Sequence, residues 1–379
     1  MPKAFFYLIL FSTLLPMFAI FQDQVRGDEP ECYTPLPIDS NLETISLENA
    51  NRITQLAELG RGDFTDFVVT PSGETLVVMT PANAQIYGLS NTSTEMLFLV
   101  DCHPVNQTAI SFDGSLTAIS ERDTTSIQLW DSSSNSLADT INATGDQITS
   151  LAFDPTGTLL AWASSDVSEI AGDPWIGNGS VFLYDFQAES QIATFENVAD
   201  IVTELHFSPG GEQIVFRGSY PGYGFDMQVW GIETETRYAI RESWVVIPAY
   251  SPNTVEVALA VTLSLGITNE YSHQIEIWDP QTDTVIQSIP IPGNTQRDPF
   301  AIPNRIPALA LSSDAAMVVA GNDEGEITIW DINTGTQLSS FQAYSQSVEQ
   351  LAFTNDGKKL ISLGSDDTNQ SIRVWGIES

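Results

Sequence analysis

Three histidines are the chain's whole supply of the side chain that most readily moves protons near neutral pH, and their settings argue against that use. His103 falls in a linking segment and His273 at the end of a long turn, while His206 lies inside an apolar strand where sister segments carry Ala152, Ala310 and Ala352. Neither His-x-His nor Gly-x-Ser-x-Gly occurs, and the cysteines Cys32 and Cys102 lack metal-ligand spacing. No catalytic residue is therefore assigned. Oxygen-rich loops at Asn322-Asp323-Glu324-Gly325-Glu326 and Asp366-Asp367-Thr368-Asn369 offer the ligands that Ca2+ takes, without the spacing of a Ca2+ loop. The expectation is no metal and no cofactor, with Ca2+ as the alternative.

The side chains best suited to recognition are aromatic residues and arginines, which bury much area at modest entropic cost. Trp175, Tyr220, Tyr223, Phe225, Tyr271, Arg297, Phe300 and Arg305 all fall in insertions, at residues 164–180, 217–226, 263–274 and 290–306. Pro and Gly stand beside them, in Pro221-Gly222-Tyr223-Gly224 and Ile289-Pro290-Ile291-Pro292-Gly293.

What must position those insertions is a repeat. Tyr87, Trp130, Tyr184, Trp230, Trp278, Trp330 and Trp375 recur at intervals of roughly 43 to 54 residues, the period of a four-stranded blade. Each ends an alternating strand, such as Ile127-Gln128-Leu129-Trp130 or Ile327-Thr328-Ile329-Trp330, which buries one face. Upstream lie hairpins such as Leu151-Ala152-Phe153-Asp154-Pro155-Thr156-Gly157 and Leu351-Ala352-Phe353-Thr354-Asn355-Asp356-Gly357, in which Gly supplies the positive φ of a tight turn. Asp follows the aromatic at Asp131, Asp279 and Asp331. In these residues the chain resembles the WD40-repeat family, over roughly residues 53–379. The resemblance implies an all-β, seven-bladed β-propeller of four-stranded antiparallel blades.

The Gly-His pair that often opens such a repeat is missing, so the family's buried His-to-Asp network is expected to be absent, with blade packing resting mainly on apolar contacts. The chain stops soon after Trp375, leaving the last blade without an outer strand, while Ile53-Thr54-Gln55-Leu56-Ala57-Glu58-Leu59 stands unassigned before the first hairpin. That N-terminal strand is expected to complete the last blade and close the ring. In a propeller, the links between second and third strands and those between blades open on one rim. The insertions belong to these links, so the rim over blades 3–6 is the expected surface for a protein or peptide partner. The alternative is a lactonase- or esterase-like propeller hydrolase with a carboxylate- or calcium-based axial site.

Residues 1–21 hold Lys3 and then an uncharged apolar run, the pattern of a signal peptide or an N-terminal membrane anchor. Either places the propeller outside the cytoplasm, secreted, periplasmic or held at the outer surface of the membrane, with membrane contact only through an uncleaved leader. Residues 22–51 read as an exposed acidic, Pro-containing linker, and residues 52–379 as the propeller. In an oxidising compartment Cys32 and Cys102 are a disulfide candidate, which in the chain-entropy account adds roughly 4 kcal/mol. With 13 basic against 49 acidic residues and a formal net charge of −36, the surface repels phosphate backbones, which excludes nucleic acid as the expected partner. Arg61-Gly62-Asp63 matches a cell-adhesion tripeptide but is expected to be a turn entering the first hairpin.

Overall fold

The computed structural model describes residues 42–378 except 63, 65, 71–74, 81–83, 91–92, 101–104, 122–123, 133, 135, 171–172, 221–223, 244–245, 252–256, 265–270, 297–305 and 368. After β1 (Thr54–Gly62), blade 1 comprises β2 (Asp66–Val69), β3 (Thr75–Met79), β4 (Ala84–Ser90) and β5 (Ser93–Val100). Blade 2 is β6 (Val105–Ile110), β7 (Leu116–Glu121), β8 (Ser126–Asp131) and β9 (Ser136–Asn142). Blade 3 is β10 (Gln147–Phe153), β11 (Leu159–Ile170), β12 (Asp173–Asp185) and β13 (Ser190–Ala199). Blade 4 is β14 (Ile201–Phe207), β15 (Gln213–Tyr220), β16 (Gly224–Gly231) and β17 (Thr236–Ser243). Blade 5 is β18 (Val246–Tyr250), β19 (Val257–Ser264), β20 (Tyr271–Asp279) and β21 (Thr284–Gln296). Blade 6 is β22 (Ala308–Leu311), β23 (Met317–Gly321), β24 (Glu326–Asp331) and β25 (Thr336–Gln342). Blade 7 takes β26 (Val348–Phe353), β27 (Leu360–Asp366) and β28 (Asn369–Gly376) from the C-terminus and β1 from the N-terminal side.

Seven four-stranded antiparallel sheets thus surround one axis, and the first strands pack against one another, β10 on β6 and β14, and β22 on β18 and β26. The ring closes as expected. β1 pairs antiparallel with β28, Thr54 opposite Gly376 and Glu58 opposite Arg373. Arg373 lies 3.6 Å from Glu58, pairs also with Asp366 and the Ala343 carbonyl, and stacks 4.4 Å over the Tyr344 ring.

Alternation explains where the core sits. Each sheet buries apolar side chains on both faces, so among the described residues the interior forms seven clusters, one per seam between neighbouring blades. The cluster between blades 4 and 5, for example, joins Val215, Met227 and Val229 to Val257, Leu259 and Trp278. The turns joining first to second strands are built alike: the Ser111, Ser208 and Ser312 hydroxyls each accept the backbone N–H five residues on, at 2.9, 3.1 and 2.9 Å. Gly114, Gly157, Gly211 and Gly357 take the left-handed position there, with φ of 71, 71, 74 and 67°. In blade 6 the position falls to Ala315 at φ 52°, a conformation costing an L-residue roughly 1–2 kcal/mol.

Asp after the aromatic has a local purpose. Asp131, Asp185, Asp279 and Asp331 each accept backbone N–H groups of the following turn, as Asp331 does from Asn333 at 2.8 Å. Every outer strand also shifts register opposite the blade aromatic. Such bulges twist an edge away from pairing with another chain.

Two expectations need correction. Residues 42–51 are not exposed linker: Ile45 and Ala50 are buried in the cluster between blades 6 and 7, Ile45 N–H donates to Gly357 O at 2.9 Å, and Leu42 bridges to Glu378. Arg61 and Gly62 belong to β1, paired with Ser371 and Gln370, rather than to a turn; Asp63 lies outside the described residues. The leader, the rest of the linker, Cys32 and Cys102 lie outside them too.

Candidate functional site

On the rim where second strands meet third strands, the described parts of the insertions in blades 3–5 are paired strands that prolong their sheets. The β11–β12 ladder runs on to Ile170 opposite Asp173, β15–β16 to Tyr220 opposite Gly224, and β19–β20 to Ser264 opposite Tyr271. β21 likewise continues to Gln296, opposite Tyr271. Continued pairing satisfies backbone groups that a loop would leave to water, and the β-branched and aromatic residues of these segments favour it. In blade 6 the same link is a short turn, Gly321 to Ile327, in which Asn322 Oδ1 accepts the Glu324 and Glu326 N–H groups at 3.0 and 2.8 Å.

Trp175 lies on the β12 extension opposite Ser168, and Tyr271 opens β20. Tyr223, Arg297, Phe300 and Arg305 lie outside the described residues. Tyr220 and Phe225, whose side chains are described, form the foundation of the rim. The Tyr220 hydroxyl lies 3.0 Å from both the Val198 carbonyl and Asp226 Oδ2, and accepts from Gln228 Nε2 at 3.1 Å. Burial, and then the Asp226 charge, hold its phenol well above the usual value. Phe225 packs against the seam between blades 4 and 5, with the Arg217 guanidinium 4.3 Å from its ring centroid. Arg217 in turn pairs with Glu204 on the inner strand β14 at 2.9 Å.

The blade aromatics reveal a polar pattern that the missing Gly-His pair concealed. Trp130 Nε1 donates to Gln128 at 2.9 Å, Trp230 Nε1 to Gln228 at 3.0 Å and Trp330 Nε1 to Thr328 at 3.0 Å; the Tyr87 hydroxyl lies 2.7 Å from Gln85. In blade 7 Trp375 Nε1 donates to Ser362 at 2.8 Å, and the Tyr344 hydroxyl lies 2.7 Å from the same oxygen. Trp278 turns to Asp283 at 3.1 Å, while Tyr184 packs edge-on against Phe186. Blade packing does rest mainly on apolar seam clusters, and this polar pattern is added to them. A residue two places before the aromatic shares its face of the strand, and in blades 1, 2, 4 and 6 its side chain is the hydrogen-bond partner of the aromatic's polar group. Gln at that position in blades 1, 2 and 4 was the visible signal.

His206 is not free to act on a ligand. Its ring stacks on Tyr250 of blade 5 with centroids 3.7 Å apart, and burial pushes its imidazole down to about 4. Asp66, on the inner strand β2, shifts the other way, burial and to a smaller extent the Glu204 charge raising its carboxyl to about 6. His273 lies within β20, paired with Thr262, and not in a loop; His103 is outside the described residues. Among the described residues no three His, Cys, Asp or Glu side chains converge as a metal site would require, and Asp366 faces Arg373.

The two shifts work against each other. His206 binds its proton less tightly folded than at its ordinary 6.5, so it adds stability as pH climbs from about 4 to 6.5. Asp66 binds its proton more tightly folded than at its ordinary 3.8, so stability falls as pH climbs from about 4 to 6. Asp66→Asn should leave the His206 slope uncompensated and steepen the rise in urea midpoint between about pH 4.5 and 6.5 relative to the parent chain; His206→Phe should turn it toward a fall. Profiles parallel to the parent's in both variants would contradict the assignment.

No family model matches the chain. It is 37% identical over 76 residues to Pre-rRNA-processing protein IPI3 of Mycosarcoma maydis, a match spanning 20% of this chain and only 12% of that protein. It is 24% identical over 262 residues to Target of rapamycin complex subunit wat1 of Schizosaccharomyces pombe, covering 66% of this chain and 71% of that one. Among solved structures, Kuenenia stuttgartiensis Hydrazine Synthase superposes with a TM-score of 0.63 at 12% identity, over 81% of this chain and 94% of that chain. At that identity the likeness is one of fold alone.

Proposed function

Because the chain is a WD40-repeat β-propeller, we propose that it is a non-enzymatic scaffold outside the cytoplasm, binding a protein or peptide through the hairpin rim over blades 3–6. The observation that carries this reading is one-sided growth: the second-to-third strand hairpins of blades 3–5 lengthen on one rim, while the described turns on the opposite rim stay short and alike. In repeat proteins elaboration on one face marks the surface used for recognition. The foundation under blade 4 is rigid, since Tyr220, Asp226 and Gln228 are held together by hydrogen bonds, and a preorganised rim loses less freedom on binding. A relative whose name makes it a subunit of a complex supports a protein as the partner. The export part of the proposal rests on the apolar run after Lys3. No cofactor is called for.

A hydrolase would need a base within reach of a reacting atom. Of the inner-strand groups discussed above, Glu204 is engaged by Arg217 at 2.9 Å, Asp66 is buried and accepts the Phe67 N–H at 2.7 Å, and His206 is stacked and held neutral, which favours the scaffold.

The test is affinity capture from envelope extracts with the parent chain and with Trp175→Ala/Tyr223→Ala. The scaffold reading expects a discrete partner whose recovery drops about tenfold or more in the double variant, as for interface anchors. Equal recovery would reject the rim as the binding surface.

A further inference from the structure

A second surface lies on the opposite side of the same sector. Among the described residues, the exposed large apolar side chains are Phe112, Leu137, Ile192, Tyr238, Val285 and Ile286, all in blades 2–5. Phe112 sits in the turn between β6 and β7, and the other five within the first three residues of β9, β13, β17 and β21, the outer strands. All therefore lie toward the rim that carries the short turns, away from the prolonged hairpins.

Scattered exposed apolar residues are ordinary on any protein. Here the distribution is not scattered. Ile192, Tyr238 and Ile286 occupy the same place in three consecutive blades, the extra residue of the outer-strand bulge, and are 45%, 52% and 55% exposed. The corresponding Leu338 in blade 6 and Leu56 in blade 7 are instead half-buried against their seam clusters. Tyr238 is also fixed in place, its ring lying over Gly231 and its hydroxyl 3.0 Å from Thr234. A rigid aromatic with half its surface in water is well suited to anchor a partner.

Charge decides what such a partner is. Exposed acids flank these side chains along the chain, among them Asp113, Asp139, Glu189, Glu235 and Asp283, against the two cations Arg237 and Arg241 of β17. A second copy of the chain, itself at −36, and a bilayer of anionic lipid are both repelled by that field. We propose that the outer wall of blades 3–5, on the side of the short turns, docks a cationic protein segment that presents apolar anchors to Ile192, Tyr238 and Ile286. This site is separate from the hairpin rim, so the chain would join two partners.

The test uses a defined probe, an amphipathic peptide of alternating Lys and Leu character, with a Glu/Leu peptide of the same pattern as its counterpart. Binding is followed by fluorescence anisotropy at physiological salt. The expected result is saturable binding of the Lys/Leu peptide that weakens about tenfold or more in Ile192→Ser/Tyr238→Ser/Ile286→Ser, and no comparable binding of the Glu/Leu peptide. Exposure of all three positions means the variant should keep the parent's circular dichroism. Trp175→Ala/Tyr223→Ala should bind the peptide like the parent, which separates this site from the rim. Equal affinity in parent and triple variant would overturn the proposal. So would equal binding of the Glu/Leu peptide, a dimer of the parent that the triple variant loses, or binding to phosphatidylcholine vesicles that the triple variant loses.

Discussion

Removing residues 42–62 should leave a chain that no longer folds cooperatively, although every blade aromatic and all but one of the named strands are still present. The deleted segment contributes β1, the only strand of blade 7 that does not come from the C-terminal end. Without it β28 becomes a bare edge, Arg373 loses Glu58, and the seam between blades 7 and 1 loses Ala57 and Leu59. Leu42, buried in that same seam, and Ile45 and Ala50, buried between blades 6 and 7, go with it. Burying a large aliphatic side chain contributes about 1.5–3 kcal/mol, so Leu42, Ile45 and Leu59 alone account for about 4.5–9 kcal/mol, before the β1–β28 ladder is counted. That is comparable with the whole stability of an ordinary domain. The near-UV circular dichroism of the truncated chain should therefore collapse.

The second large effect belongs to a single side chain. Trp278→Ala should cost about 3–5 kcal/mol, because the indole is fully buried among Val215, Val257 and Val261 in the seam between blades 4 and 5 and the gap can relax only in part. Its one hydrogen-bond partner, Asp283, stands in an exposed turn and can turn to water, so the cost is one of packing. Tyr184→Ala, at the same repeat position in blade 3 but half-exposed, should cost markedly less. Urea denaturation at constant slope reads both. Equal losses in the two variants would mean that repeat position, not burial, sets the contribution.

The aromatic register, the blade number and the closing strand were all legible in the sequence, because each follows from a period-two strand ending in Trp or Tyr and from one strand missing at the end. The prolonged hairpins were not. Stretches such as residues 217–226 mix Gly, Pro and aromatics, and local chemistry alone does not distinguish a loop from a ladder that continues past the sheet. The Gln128–Trp130 and Gln228–Trp230 pairs are hidden in the sequence for a different reason. A polar residue two places before the aromatic looks like ordinary alternation until its partner is seen. Residues 42–51 look like linker by composition, yet Ile45 and Ala50 find cover against blades from the far end of the chain, which no local pattern encodes.

Whether both ends of the chain share one blade is the point on which the rest depends, and scanning calorimetry tests it most directly. The full-length protein should give a single endotherm, and a chain beginning at residue 64 should give none or only a broad one, with no regain on further addition of salt. A sharp endotherm within a few degrees of the full-length value would contradict the closed ring.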